Sequence, residues 1–420
     1  MEVALDEVVF SDFGDDPLFP FARTGLFRVE GATPQELRTQ IKQFSPRCPG
    51  VYGMLDRLGR LIYVGKSKSL RNRLMSYFLP HNEEDKAGRI VQSSCAIVWE
   101  PQPSEFAALL REQYLIRNFQ PRFNVQGLPK RQQPIFICLG RAPAEQLYTA
   151  RRDEAKALVQ LGPLFGAGRA NRAVEVLNRL FKLRDCGSKQ PCSFTDQLQL
   201  FDIELRPGCI RLEIATCLGP CISACSRGAY ESQVVRAQAF LEGSDESVLD
   251  ELEQAMRIAA QKMHFEQAAV LREDWKAVRW LYRRASDLAR ARQQYTFVYP
   301  VKGTSCHRTP GKPSSNFDIW YLIRRGIIEA AVAAPQTDEE LKKKEKLINL
   351  WLNQDQYIGG SFSPRSETLA LVTSWFRNTT GEIRKTFLPE ACMVPNPKPT
   401  SLGRAKSRAQ TRKSRPVSLS

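Results

Sequence analysis

PGVYGMLDRLGRLIYVGKSKSLRNRLMSYF, residues 49–78, holds the pattern from which the rest of the chain can be read. Val51-Tyr52-Gly53-Met54-Leu55 and Leu61-Ile62-Tyr63-Val64-Gly65 are short, apolar, β-rich runs, and Asp56-Arg57-Leu58-Gly59-Arg60 between them is turn-like. The alternation predicts a β-hairpin. Behind it, Leu70, Leu74 and Tyr77 recur at helical spacing with Arg71 and Arg73 between them, which predicts a short basic helix over 69–78. Outward from this core, Ile97-Val98-Trp99 reads as a third strand, and Ser104 as the cap of a helix running to about Asn118, ahead of Pro121. Hairpin, helix, strand and helix make one small α+β unit over 41–127.

The unit holds the groups that phosphodiester hydrolysis needs: a base for water, a cation on the phosphoryl oxygens, and stabilisation of the leaving oxygen. Tyr52 and Tyr63 sit on adjacent strands, each with a glycine within two residues. A phenol of ordinary pKa near 10 is a poor base at neutral pH, so a positive charge beside it is required; Lys66 follows Tyr63 closely, and Arg73 can reach a phosphate. Glu112 borders the apolar helix positions Ala108 and Ile116, a placement that suits one hard cation completed by waters. Taken singly, the tyrosines read as core aromatics, the cations as a solvated helix face and Glu112 as an ordinary helix carboxylate. Their order and spacing as a set argue for chemistry.

Charge agrees with a polyanionic substrate. Lys and Arg number 61 against 45 Asp and Glu, a formal net charge of +16, which attracts DNA phosphates but also fits other basic proteins. No run approaches the roughly 20 apolar residues of a membrane span, and the acidic start MEVALDEVVF lacks a basic n-region, so a soluble cytoplasmic protein is expected. Three histidines (His81, His264, His307) argue against histidine-based metal catalysis. Eleven cysteines in so long a chain without a leader read as free thiols or metal ligands.

Pro49-Gly50-Val51-Tyr52, Tyr63-Val64-Gly65-Lys66 with the run to Phe78, Glu112, and Pro121-Arg122-Phe123-Asn124 together resemble the GIY-YIG domain of the UvrC family of excision-repair nucleases, with Val in place of both isoleucines of the family's name. The resemblance implies Tyr63 as general base and Glu112 as ligand of a single Mg²⁺. It also implies that Lys66, Arg73, Tyr52 and Tyr77 position the phosphate and that Asn124 braces the site. Implied partners are damaged duplex DNA and UvrB, with one incision on the 3′ side of a lesion.

Further along, Cys186, Cys209, Cys217 and Cys221 bring four thiols into one region, chemistry open to zinc or an iron-sulfur cluster. The segment is similar to the cysteine region of UvrC, which implies a [4Fe-4S] cluster, with Cys192 an alternative first ligand to Cys186. Two apolar-periodic helices over about 245–283, hinged at His264-Phe265, predict an αα-hairpin that resembles the UVR motif through which UvrB and UvrC meet.

The expected organisation is α+β and multidomain. An unassigned segment 1–40 precedes the 41–127 nuclease unit, a linker with the cysteines spans 128–230, and the UVR hairpin spans 240–285. Strands at Phe297-Val298-Tyr299 and 319–323 begin an unassigned region 290–394, and 395–420 reads as a disordered basic arm. Residues 290–420 show neither the acidic cluster of a second two-metal nuclease nor paired helical-hairpin turns, as in a truncated or divergent relative; His307 and Asp318 stand as structural residues. Two other functions compete: a non-cutting adaptor that binds UvrB and DNA, and a stand-alone nuclease of branched or mobile DNA.

Overall fold

The structure is a computed structural model that describes residues 10–21, 25–79, 85–125, 135–151, 154, 156–164, 166–187, 190–196, 208–303, 317–353 and 368–388. The expected basic arm at 395–420, His81 and His307 lie outside these residues.

The first unit is built from β1 (Phe27–Glu30), α1 (Pro34–Phe44), β2 (Gly50–Leu55), β3 (Leu61–Ser67), α2 (Leu70–Ser76), α3 (Lys86–Gln92), β4 (Ala96–Pro101), α4 (Glu105–Phe119) and α5 (Arg122–Val125). Its antiparallel sheet has the order β1-β4-β2-β3, so β3 is an edge strand. The turn between β2 and β3 is held by the Asp56 carboxylate, which accepts from Leu58 N and Arg60 N, both at 3.0 Å, and Gly59 supplies the positive φ of 73°. Ser104 caps α4 by accepting from Ala107 N at 3.0 Å, and the helix ends at Gln120 in the left-handed region ahead of Pro121.

Burial on both faces explains why β2 and β4 are apolar throughout. On one face Tyr52, Met54 and Trp99 pack with Leu37, Ile41, Leu70 and Leu74; on the other Val51, Val64 and Val98 pack with Ala108 and Leu115 of α4. Sequence periodicity placed the start of this unit at residue 41, but β1 pairs with β4, α1 crosses that boundary, and Phe10 and Phe13 enter the core beneath α4. Arg111 of α4 is fully buried and is answered by Glu100 Oε2 at 3.1 Å and by the carbonyls of Asp15 and Gly14. Those contacts tie the N-terminal segment to the sheet, since a buried guanidinium stripped of its partners costs about 3–5 kcal/mol.

The second unit has a sheet of order β6-β5-β7, from β5 (Ile135–Gly140), β6 (Gln146–Ala150) and β7 (Val159–Leu164). It packs with α6 (Ala167–Leu180), a short α7 (Ile210–Glu213), α8 (Arg227–Leu241), α9 (Ser247–Gln261) and α10 (Phe265–Gln294) around the largest apolar core among the described residues. The expected αα-hairpin is α9 and α10, with the reversal at Lys262–His264 and Met263 at φ 58°. It departs from expectation in one respect: α10 continues well past residue 283, and Val278, Leu281, Ala285 and Leu288 are buried within the chain. Much of the helical stripe that suggested an outside partner is therefore internal core.

The third unit is a sheet of order β10-β9-β8, from β8 (Phe297–Val301), β9 (Ile319–Arg324) and β10 (Ile327–Ala333), with α11 (Asp338–Asn353) and α12 (Thr368–Asn378). Phe106 of α4 stands among Tyr299, Tyr321 and Trp375 with ring centroids 5.2, 5.1 and 5.1 Å away, so this sheet docks onto the first unit. Asp318 accepts from Gly303 N at 2.8 Å, a structural role that agrees with its reading from sequence. Among the described residues no helix is long and apolar enough to cross a membrane.

Candidate active site

The β2/β3 register sets Tyr52 opposite Gly65 and Met54 opposite Tyr63, so both tyrosines project from one face of the hairpin. A Cβ at Gly65 would fall 2.5 Å from the Tyr52 hydroxyl and 2.6 Å from its Cζ; only glycine leaves the phenol room. Helix α2 adds Tyr77 at its C-cap and Arg73 one turn earlier. The Tyr52 and Tyr77 hydroxyls are 3.0 Å apart, and Arg73 donates from Nε to Tyr52 at 3.2 Å and from Nη2 to Tyr77 at 3.3 Å. The Tyr63 ring completes a triangle, its centroid 6.1 Å from Tyr52 and 6.3 Å from Tyr77.

Glu112 and Asn124 approach from the other direction, onto the open edge of β3. Glu112 Oε1 accepts the backbone N–H of Lys66 at 3.0 Å. Asn124 accepts from Val64 N at 2.8 Å and donates to Val64 O at 2.9 Å, replacing the bonds of a missing neighbouring strand. An edge strand alone leaves such amides free, so edge position is what lets α4 and α5 add side chains to the site. The structure thus gathers Tyr52, Tyr63, Arg73, Tyr77, Glu112 and Asn124 about one end of the hairpin.

Lys66 is arranged differently from the expectation. Its ammonium lies 3.4 Å from Glu105, which also binds Lys68 at 2.9 Å, and the strand register puts Lys66 on the face of the hairpin opposite to Tyr63. Burial raises the proton affinity of Tyr63 above the ordinary phenol value, and the neighbouring Tyr77 phenol and the Glu112 carboxylate raise it further against the opposing pull of Arg73. Tyr52 and Tyr77 are raised in the same way, chiefly by burial. Although burial pulls Arg73 down, Tyr52 and Tyr77 raise its proton affinity overall, so it stays a cation. Burial lifts the Glu112 carboxyl above the usual carboxylate range, with Lys66 and Arg73 working against the shift.

Two contributors escaped the sequence reading. Lys86 on α3 lies over the Tyr63 ring, 5.8 Å from its centroid, and Glu105 anchors the two lysines. Glu105 stands next to the recognised cap Ser104 and could have been flagged; nothing local marks Lys86. Glu112 offers one hard carboxylate oxygen beyond the one held by Lys66 N, a donor set that fits a cation keeping most of its waters.

The cysteine group is looser. Cys209 and Cys221 hydrogen-bond, Cys186 adds to the field at both Cys217 and Cys221, and burial raises each of those two thiols to about 11. Cys192, which also acts on Cys221, lies 3.7 Å from the guanidinium of Arg184. Among the described residues no three His, Cys, Asp or Glu side chains stand at metal-holding spacing.

Residues 48–125 match the UvrC-like GIY-YIG domain, and residues 246–279 match the UvrB/uvrC motif. The chain is 32% identical over 268 residues to UvrABC system protein C of Nitrobacter winogradskyi, covering 64% of this chain and 37% of that protein. It is 35% identical over 232 residues to the protein of the same name from Mannheimia succiniciproducens, 55% of this chain and 36% of the relative. The chain thus spans little more than a third of the length of these relatives. A crystal structure of the N-terminal GIY-YIG endonuclease domain of UvrC from Thermotoga maritima, bound to its catalytic divalent cation magnesium, is 35% identical; the match covers 22% of this chain and 98% of that one, with a TM-score of 0.20.

Proposed function

Because the chain is UvrC-like in both its GIY-YIG domain and its UvrB/uvrC motif, we propose that it is a DNA endonuclease of nucleotide excision repair that makes one metal-dependent incision, 3′ of the lesion, in duplex presented by UvrB. The observation that carries the reading is the convergence of Tyr63, the Arg73-linked Tyr52 and Tyr77, and Glu112 about one hairpin end. A purely structural tyrosine cluster has no need of an arginine held between two phenols with a carboxylate at the neighbouring strand edge.

In this mechanism Tyr63 takes the proton of the attacking water. Arg73, fixed by two phenol oxygens, holds a non-bridging phosphate oxygen as negative charge builds on it. Tyr52 and Tyr77 keep Arg73 in one orientation, and Asn124 keeps β3, and so Tyr63, in place. Lys66 adds positive potential from the α4 side. Glu112 would hold a Mg²⁺ ion through its second oxygen; when bound, the cation supplies charge on the phosphate and lowers the proton affinity of groups around it. That supply is needed, since burial alone leaves Tyr63 protonated at neutral pH.

The apolar tip of the hairpin supports UvrB as partner, because Met263 and Phe265 are 76% and 67% exposed although both are large and hydrophobic. Cys186, Cys209, Cys217 and Cys221, from which the family resemblance implies a [4Fe-4S] cluster, do not stand at metal-holding spacing among the described residues; visible absorption and iron analysis after anaerobic purification test whether they bind iron, zinc or neither. The function itself is tested by incubating the chain with Mg²⁺ and a lesion-bearing duplex, with and without UvrB. One nick that needs UvrB is expected. Equal cutting without UvrB would mark a stand-alone nuclease, and binding without any nick an adaptor.

A further inference from the structure

Helix α10 carries Lys276, Arg279, Arg283 and Arg284 at spacings of three, four and one, which gathers the four cations toward one side of the helix over roughly 12 Å of its length. That side faces an open cavity of about 410 Å³ between α6, α10 and α12, to which Arg169 and Arg377 add two further cations and Trp275 and Trp280 two indoles. Asp287 is the one acidic side chain in the lining, and it is already taken by Arg377 at 2.9 Å. Lys276 is paired with Glu273 at 2.8 Å, while the buried Asp274 is held by Arg172 and Arg179. Among the described residues Arg169, Arg279, Arg283 and Arg284 make no salt bridge.

This arrangement costs the fold something. Arg284 is half-buried, and burial together with the like charges of Arg377 and Arg169 lowers its proton affinity, with Asp287 offsetting only part of the effect. Packing requirements give no reason to set unpaired guanidiniums side by side. A polyanion laid in the cleft would reverse the sign of every one of those interactions.

The aromatic rings narrow the choice of polyanion. Arg279 lies over the Trp275 ring with its guanidinium carbon 4.5 Å from the centroid, a cation–indole pair of the kind against which a nucleobase stacks. Trp280 is partly exposed beside it. An acidic peptide would use the charges and leave the indoles idle, and the bases of an intact duplex are stacked on one another already. An unpaired strand uses both its phosphates and its base faces.

We propose that the cleft between α6, α10 and α12 is a binding site for an unpaired segment of DNA, remote in sequence from the tyrosine site and formed by the continuation of the helical hairpin beyond its exposed tip. The proposal rests on the reading of the chain as a DNA endonuclease, and it identifies where a second stretch of the same substrate is held.

The test uses the full chain in EDTA, so that cleavage does not consume the probe, and a fluorescein-labelled 20-nucleotide single strand read by anisotropy across a salt series. For the Arg279→Glu, Arg283→Glu double variant we expect affinity at least tenfold weaker at about 0.1 M salt, and a slope of log K against log salt shallower by roughly 1 to 1.5, since each lost phosphate contact removes about 0.7. Trp280→Ala should weaken the single strand several-fold and leave an intact duplex of equal length unchanged. Parent-like affinity and slope in the double variant, or a poly-glutamate peptide that binds the parent as tightly as the strand and is weakened equally by the variant, would overturn the proposal. If the double variant melts earlier than the parent, Arg279→Gln with Arg283→Gln gives the same reading without charge reversal. With Mg²⁺ restored, UvrB added and a lesion-bearing duplex at saturation, the double variant should cut at the parent's maximal rate with a raised KM. A parent that never nicks would remove the nuclease reading while the EDTA titration still decides the cleft.

Discussion

Glu112 on α4 accepts a hydrogen bond from the backbone N–H of Lys66 on β3, at 3.0 Å, across 46 residues of sequence. The bond fixes one carboxylate oxygen at the edge of the β2–β3 hairpin and leaves the second oxygen outside it. It also separates two roles that a single substitution would otherwise confuse. Glu112→Gln keeps an oxygen for Lys66 N and removes the charge, whereas Glu112→Ala removes both. Both variants should lose nicking by about a hundredfold to a thousandfold, the order seen when a stabiliser of developing charge is removed. Only Glu112→Ala should lower the melting temperature. A Glu112→Gln protein that nicks within tenfold of the parent would show that no cation is held there.

The pH profile follows from the direction of two shifts. Burial raises the proton affinity of Tyr63, so its ionised fraction keeps growing through neutral and into alkaline pH, and the single-turnover rate should climb over that range. Burial also raises Glu112, which is protonated, and unable to hold a cation, at a higher pH than an exposed carboxylate; activity should therefore collapse on the acid side earlier than an ordinary glutamate would dictate. Raising Mg²⁺ should move the acid limb downward, because the ion binds only the carboxylate form. Tyr63→Phe should abolish the alkaline climb. A flat profile from neutral to alkaline pH in the parent would exclude Tyr63 as the base.

Gly65→Ala tests the packing beneath the tyrosines. The added methyl would fall 2.5 Å from the Tyr52 hydroxyl, and the ring must shift, taking with it the bond to Tyr77 and one of the two bonds that orient Arg73. Overpacking of this kind costs about 1–3 kcal/mol, visible in denaturant unfolding. Tyr52→Phe removes the hydroxyl without the clash. If Arg73 orientation is what the site needs, both variants should lose activity and only Gly65→Ala should lose stability.

What could be read from sequence was local. The hairpin, its Asp56 and Gly59 turn, and the Ser104 cap depend on neighbours within a few residues, and each forms where the pattern put it. Pairing of β1 with β4 brings residues 27–30 to 96–99 and leaves no local trace, so the N-terminal boundary of the unit was set too late. The same holds for Lys86 over Tyr63, a contact made across 23 positions, and for Lys66, whose nearness to Tyr63 along the chain hid the fact that alternate strand residues face opposite ways. Periodicity also found the stripe on α10, but periodicity gives a buried face without saying what buries it.

That last ambiguity yields a prediction in which position along one helix decides the outcome. Phe265 opens α10 exposed, while Leu281 further along is fully buried in the chain's own core. Phe265→Ser removes an apolar group that touches little in the free protein, so stability should stay within about 0.5 kcal/mol of the parent. Binding to UvrB, measured by titration calorimetry, should weaken at least tenfold, as expected for loss of an aromatic anchor. Leu281→Ala should do the reverse: about 2–5 kcal/mol of stability lost to the cavity, and undiminished UvrB affinity at a temperature where the protein remains folded. Should Phe265→Ser bind UvrB as tightly as the parent, the exposed tip is not the contact, and the hairpin serves chiefly to carry the rest of α10 into the core.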